Sequence, residues 1–213
     1  MTIRLLPYGP DALLLETEPE RVLAVAGALG RWLAESGDHA AEVVPAARTL
    51  LVLSPGLGRS TSRRTALQKA AALALQGGYD GDPLRGEVVD IPVRYDGDDL
   101  AEVASHLGVE VADVVAWHQQ SRFMVAFCGF VPGFAYLAGL DPRLHIERRA
   151  TPRTRVPAGS VAIAAGWAGV YPRAVPGGWH LLGHTELRIW DPSRLPPTRL
   201  RPGVRVRFVS VVA

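Results

Sequence analysis

Phe127-Cys128-Gly129-Phe130-Val131-Pro132-Gly133-Phe134-Ala135-Tyr136-Leu137 opens a stretch that closes on Pro176-Gly177-Gly178-Trp179-His180-Leu181-Leu182-Gly183-His184-Thr185. Between these ends lie Thr151-Pro152-Arg153-Thr154-Arg155-Val156-Pro157-Ala158-Gly159-Ser160-Val161-Ala162-Ile163-Ala164 and Gly169-Val170-Tyr171-Pro172. Glycine or proline interrupts the chain every few residues. Glycine admits backbone angles closed to other residues, and proline fixes φ while removing a donor. Short apolar runs (Phe123 to Phe127, Val161 to Ala165, Leu187 to Trp190, Val204 to Val209) alternate with these bends, and helical periodicity disappears after residue 122. The pattern predicts an all-β barrel or sandwich. Loops tied this tightly hold aromatic and arginine side chains on a rigid base, where binding and chemistry usually sit.

Upstream the periodicity changes. Val88-Val89-Asp90-Ile91-Pro92-Val93-Arg94-Tyr95 alternates as a strand, and Asp98 is expected to cap a short helix near 99–107. A second helix, at about 111–120, places Val111, Val114, Val115 and His118 on related faces. His118 falls in its last turn, where an imidazolium meets the helix dipole favourably. Residues 77–86 are a linker by composition, which divides the chain into an N-terminal domain, 1–85, and a β domain, 86–213.

In the first domain Leu13-Leu14-Leu15 reads as a buried strand. Thr17 and Glu20, with Pro19 between them, form a capping-box signature. It precedes an amphipathic helix over 19–35 carrying Val22, Val25, Ala26, Leu29, Trp32 and Leu33. Val43 to Leu53 is a strand pair or one bent strand, and a second helix covers 62–76. This order predicts a small ferredoxin-like α/β sandwich, so the whole chain is expected to be α+β. Pro55-Gly56-Leu57-Gly58-Arg59-Ser60-Thr61 has the look of an anion-binding turn. It lacks the Gly-Lys-Ser/Thr ending of a phosphate loop and reads better as a helix cap.

Composition narrows the function. Of 213 residues, 48% are apolar and 21% charged, as in ordinary globular proteins. The formal net charge is +2, with arginines scattered rather than massed, so a nucleic-acid partner is not expected. No window of about 18 apolar residues exists, so no membrane span is expected. The single cysteine, Cys128, cannot form an intramolecular disulfide, which suits a reducing, cytoplasmic location. Its apolar neighbours predict a small buried hydrophobe.

Candidate chemistry is limited in the same way. His180 and His184 are four apart in an extended segment, on the order of 13 Å at about 3.3 Å per residue, so no metal site is expected. Ser160 lacks the flanking glycines of a nucleophile elbow. Arg148, Arg149, Arg153 and Arg155 lie within eight residues. Guanidinium groups bind carboxylate or phosphate through two parallel hydrogen bonds. With Tyr171, Trp179 and Ser160 they could form a pocket for a small anionic molecule; a solvated basic edge or a contact between subunits is the alternative.

The motifs Gly129-Phe130-Val131-Pro132-Gly133-Phe134-Ala135-Tyr136-Leu137, Pro152-Arg153 to Ile163, Val170-Tyr171-Pro172 and Pro176-Gly177-Gly178-Trp179 closely resemble the B subunit of bacterial 5-oxoprolinase. That family has also been labelled allophanate hydrolase subunit 1, and it includes the sporulation kinase inhibitor KipI. The likeness extends to Ile91-Pro92-Val93, His118 and Leu200-Arg201-Pro202-Gly203, covering nearly the whole chain and thinning before residue 85. The resemblance implies an N-terminal α/β domain followed by a cyclophilin-like β-barrel. It implies partners as well, the homologous C subunit and the A subunit of 5-oxoprolinase, with which the complex opens 5-oxo-L-proline to L-glutamate using ATP. ATP would be handled at a shared surface or by another subunit, leaving the isolated chain inactive.

On this resemblance the catalytic candidates are Arg153, to clamp the substrate carboxylate, Ser160, to polarise the lactam oxygen, and His184. Tyr136, Arg155, Tyr171, Trp179, Gly177 and Gly178 are the substrate-binding candidates. The resemblance also admits a KipI-like inhibitor of a histidine kinase, or a carboxyltransferase or allophanate-hydrolase-type module of urea metabolism. The chain departs from the family pattern at His184, where arginine is usual, and at Val204, where aspartate is usual. Cys128 replaces an aliphatic residue, and a Gly-Pro is missing near Asp98-Asp99.

Overall fold

Leucine and valine spacing organises the first unit. In a computed structural model describing residues 3–76 and 87–211, the chain divides into Met1–Arg85 and Gly86–Ala213. The expected linker, 77–86, lies outside the described residues. The first unit contains β1 (Arg4–Pro7), β2 (Ala12–Glu16), α1 (Val22–Glu35), β3 (Glu42–Pro45), β4 (Thr49–Leu53) and α2 (Thr61–Gln76). Its sheet has the order β1-β2-β4-β3, with every pair antiparallel. A ferredoxin-like sandwich runs βαββαβ; moving its last strand to the front gives the order and pairing seen here. Val22, Val25, Leu29 and Leu33 form one stripe of α1, which buries against Leu13, Leu15, Leu50, Val52, Leu67 and Ala71. Each large side chain buried there contributes about 1.5–3 kcal/mol.

Two local expectations change. The Thr17–Glu20 capping box does not form: Pro19–Arg21 is a turn of 3₁₀ helix, α1 starts at Val22, and neither flanking residue caps through its side chain. The Pro55–Thr61 turn uses its amides internally. Gly56 N–H donates to Asp11 Oδ1 at 2.7 Å and Gly58 N–H to the Pro10 carbonyl at 2.9 Å. Ser60 Oγ accepts from Arg63 N–H at 3.3 Å, which is a cap.

The second unit begins with β5 (Val88–Val93), α3 (Leu100–Leu107) and α4 (Val111–Gln120). There follow β6 (Phe123–Cys128), β7 (Ala135–Ala138), β8 (Arg153–Val156), β9 (Ser160–Ala164), β10 (Trp167–Val170), β11 (Val175–Gly177), β12 (His180–His184) and β13 (Arg205–Ser210). Seven strands form one sheet in the order β12-β9-β10-β7-β6-β13-β5, while β8 and β11 make a two-stranded ribbon. Among the strand pairs of the described residues, only β13 and β5 run parallel. The sheet curls until its ends meet. Arg94 and His184 exchange backbone hydrogen bonds of 2.9 and 2.8 Å, and Gly97 N–H reaches the Leu182 carbonyl at 3.2 Å. The result is a nearly closed barrel filled by Ile91, Val93, Val125, Leu137, Val161, Ile163, Leu182 and Phe208.

That closure requires glycine at the seam. A Cβ on Gly183 would lie 2.3 Å from the Arg94 carbonyl oxygen, and one on Gly97 2.3 Å from that of Leu181. Gly183→Ala is expected to lower stability by about 1–3 kcal/mol through overpacking, read as a drop in thermal midpoint.

Three further expectations are corrected here. The residue before α3 is Asp99, not Asp98, and its carboxylate turns away from the helix amides. His118 does lie in the last turn of α4, but not as a cation. Its ring is fully buried between Phe123 and Phe208 and shares a 2.9 Å hydrogen bond with the Tyr95 hydroxyl through Nδ1. Burial pushes its pKa down to about 3, so it is neutral. Cys128, at the end of β6 where the chain leaves the sheet, is exposed rather than buried, and its thiol donates to the Leu200 carbonyl at 3.3 Å. Among the described residues no helix is long and apolar enough to cross a membrane.

Candidate functional site

Asp99, 1% exposed, is the electrostatic centre of the second unit. Its Oδ1 accepts from Arg149 Nη1 at 2.6 Å and Arg153 Nη2 at 2.7 Å, and its Oδ2 from Arg153 Nη1 at 2.9 Å and Leu181 N–H at 2.7 Å. Burial by itself would raise the Asp99 pKa. The Arg153 fork, the Leu181 amide and the charges of Arg153 and Arg149 outweigh it and hold the carboxyl below the usual range. Arg149 Nη1 also reaches Glu102 Oε2 at 2.9 Å. This cluster ties the start of α3 to the segment entering β8 and to β12.

The candidates from the sequence separate into three places. Arg153, expected to clamp a ligand carboxylate, spends its fork on Asp99 and sits opposite Gly177 in the β8–β11 ribbon. Arg155, on the same strand, is exposed and makes no ion pair among the described residues. Ser160 and His184 are brought together: they face each other across β9 and β12, so their side chains emerge on one face. Ser160 is 5% exposed, and His184 Nε2 lies 3.1 Å from Glu186 Oε1. Gly159, at φ +82, lets this turn close, since a Cβ there would stand 2.3 Å from the Thr185 carbonyl oxygen.

Tyr171 and Trp179 are core residues, 2% and 5% exposed. Both pack edge-on against Phe134, with ring centroids 5.3 and 5.4 Å away. Tyr136, half-buried, is 5.6 Å from Trp179 and stacks on Phe127 at 4.4 Å. Gly177 is where the chain passes the Tyr171 hydroxyl, 2.3 Å from where a Cβ would be. The Gly178 carbonyl accepts from Arg149 N–H at 2.9 Å. The two glycines fit the ribbon against Tyr171 and Arg149.

Beside that cluster is a cleft of about 590 Å³, within the usual range for small-molecule sites. Glu102, His106, His145, Arg148, Arg149 and His180 supply its polar lining. His180 Nε2 is 2.9 Å from the Glu147 carbonyl oxygen and His145 Nε2 3.1 Å from that of Leu140. Of the arginine cluster expected in a pocket, Arg148 and Arg149 line this cleft, and Arg153 and Arg155 do not. Among the described residues no group of three or more His, Cys, Asp or Glu could hold a metal ion. Asp99, Glu102, His106 and His145 carry no sequence motif. The paired acids at Asp98-Asp99 beside a helix start were the only available signal.

Residues 3–200 match the family described as "Carboxyltransferase domain, subdomain C and D". The chain belongs to that family. It is similar to the B subunit of 5-oxoprolinase from Escherichia coli O157:H7, with 52% identity over 124 residues. The alignment covers 57% of this chain and 57% of that protein, so it spans little more than half of the relative's length. The crystal structure of TTHA0988 is 36% identical, with a TM-score of 0.77, covering all of this chain and 41% of that one. The urea amidolyase of K. lactis, 18% identical with a TM-score of 0.70 over 99% of this chain and 15% of that one, shares the fold.

Proposed function

We propose that this chain is the B subunit of a cytoplasmic, ATP-dependent 5-oxoprolinase, working with the homologous C subunit and the A subunit to convert 5-oxo-L-proline to L-glutamate. The observation that carries the reading is the 52% identity to a protein of that name. The four glycine- and proline-rich motifs support it. A five-membered lactam is resonance-stabilised, so its opening is coupled to ATP. The Gly56 and Gly58 amides of the Pro55–Thr61 turn are already bonded, which supports the reading that ATP is handled by another subunit or at a shared surface. Ser160 and His184, paired across β9 and β12, are the residues proposed to face the reacting amide, where a hydroxyl and an imidazole stabilise charge developing on the lactam oxygen. Arg153 acts by holding Asp99.

The test is coexpression with the C and A subunits, followed by ATP-dependent glutamate release from 5-oxo-L-proline. Release is expected from the three together and not from this chain alone. Ser160→Ala and His184→Gln are expected to lower kcat by about 100-fold or more if these groups meet the oxyanion. Unchanged rates reject the site, and absence of release from the full set rejects the reaction. Recovery of a histidine kinase in place of the C subunit would identify an inhibitor instead.

A further inference from the structure

The His184 ring is held from two sides. Its Nε2 lies 3.1 Å from Oε1 of Glu186, two residues along the chain. An ionised carboxylate only accepts, so this bond places the proton of the neutral ring on Nε2 and the lone pair on Nδ1. The Cε1–Nδ1 edge lies over Gly159, where a Cβ would stand 2.5 Å from Cε1 and 3.0 Å from Nδ1. A residue other than glycine there would push the ring out of place. Ser160, the next residue, faces His184 across β9 and β12. Neither His184 Nδ1 nor Ser160 Oγ makes a hydrogen bond among the described residues, and neither atom is shut off from solvent. Nearby groups leave the pairing intact. Arg94, opposite His184 at the seam, is bonded to Asp96 through Nε, and the Thr185 hydroxyl accepts from Leu187 N–H at 3.2 Å.

We infer that Glu186 is a positioning residue for His184: it holds the Nε2 proton, so that Nδ1 serves as the proton acceptor beside the Ser160 hydroxyl. This rests on the reading of Ser160 and His184 as the reacting pair. In lactam opening, Nδ1 takes a proton from the attacking water as the water oxygen bonds to the carbonyl carbon. The imidazolium so formed is paired with Glu186, and its Nδ1–H donates to the lactam oxygen. When the C–N bond breaks, that proton passes to the lactam nitrogen and His184 is neutral again. Glu186 touches neither the water nor the lactam. It acts through the ring alone, fixing the tautomer and stabilising the cation that forms.

The test reads the ring first and the rate second. Long-range proton–nitrogen NMR spectra of the full chain, with the ring signals assigned through His184→Gln, are expected to show neutral His184 as the Nε2–H tautomer. In Glu186→Gln, whose amide can donate as well as accept, a mixture of the two tautomers is expected. In the complex with the C and A subunits, Glu186→Gln is expected to lower kcat for glutamate release by about tenfold and to leave KM unchanged. The loss is modest for acid–base catalysis because the Glu186 side chain is 86% exposed and water competes for the ring. Matched thermal midpoints exclude misfolding as its cause. An Nδ1–H tautomer in the wild type overturns the assignment, as do identical spectra for wild type and Glu186→Gln. A kcat unchanged by Glu186→Gln, where Ser160→Ala and His184→Gln abolish turnover, sinks the role of Glu186 and leaves the 5-oxoprolinase reading intact. A tautomer set by Glu186 in a chain whose complex opens no 5-oxo-L-proline upholds the positioning and sinks the 5-oxoprolinase reading.

Discussion

Asp99→Ala is expected to destabilise the barrel unit by about 3–5 kcal/mol, the usual loss when one partner of a buried ion pair is removed and the other stays behind. Here two guanidinium groups stay behind. Arg153 loses both bonds of its fork and Arg149 one of its two anchors, while the Leu181 amide is left without its acceptor. Urea unfolding at neutral pH measures the loss, and a change below about 1 kcal/mol would show that the cluster is not holding the unit together. The sign of the pH dependence follows from the same contacts. The folded carboxyl titrates below its unfolded value of about 3.9, so its stabilisation is complete above that value. It is lost as the pH falls through the folded pKa. Asp99→Asn, which keeps the shape and removes the charge, should reproduce much of the acid-induced loss at neutral pH.

His118 gives the second large effect, with a different pH window. In the unfolded chain it takes up a proton near pH 6.5, whereas burial holds the folded ring neutral down to about pH 3. Above pH 6.5 both states are neutral and His118 contributes no pH dependence. Below it the unfolded state binds a proton that the native state refuses, so stability falls by about 1.4 kcal/mol per pH unit, or about 2 kcal/mol by pH 5. His118→Leu removes this component. It is expected to be somewhat less stable at pH 7, because the Tyr95 hydroxyl loses its partner, and to have a flatter acid limb down to pH 5. Parallel wild-type and variant curves over that range would show that His118 gains solvent or a proton in the native state.

The Gly183→Ala and Asp99→Ala predictions concern the same seam. Gly97 N–H bonds the Leu182 carbonyl, Asp99 N–H the Leu181 carbonyl at 3.1 Å, and Leu181 N–H returns to the Asp99 carboxylate. Main-chain closure of the barrel and the acidic centre of the cluster therefore occupy one short segment. A substitution in either is expected to weaken the other, and the two should be non-additive when combined.

How much of this was legible varies with distance along the chain. The alternation in Val88–Val93 and the bends after residue 122 signal strands because hydrophobic period and backbone freedom act over a few residues. β1 carries little signal: four residues at a sheet edge, ending in proline. Thr17 and Glu20 have the right spacing for a cap, yet the chain opens there in a 3₁₀ turn and α1 starts two residues beyond Glu20. The motif-bearing aromatics Tyr171 and Trp179 were expected to line a site because size and polarity do not distinguish a pocket wall from a core. In the fold they pack against Phe134.

The amino-acid order alone determined the two-part α+β organisation, the helical stripes, the β-rich second half and the family. All of these rest on patterns repeated within short windows or across whole motifs. Only the tertiary structure decided which charges meet. Asp99 is 54 residues from Arg153 and 82 from Leu181, and nothing local ties them. A guanidinium binds whichever carboxylate the fold delivers, so the same four arginines could have met solvent, substrate or one another. Closure of the sheet delivered Asp99 to two of them and left Arg155 at the surface.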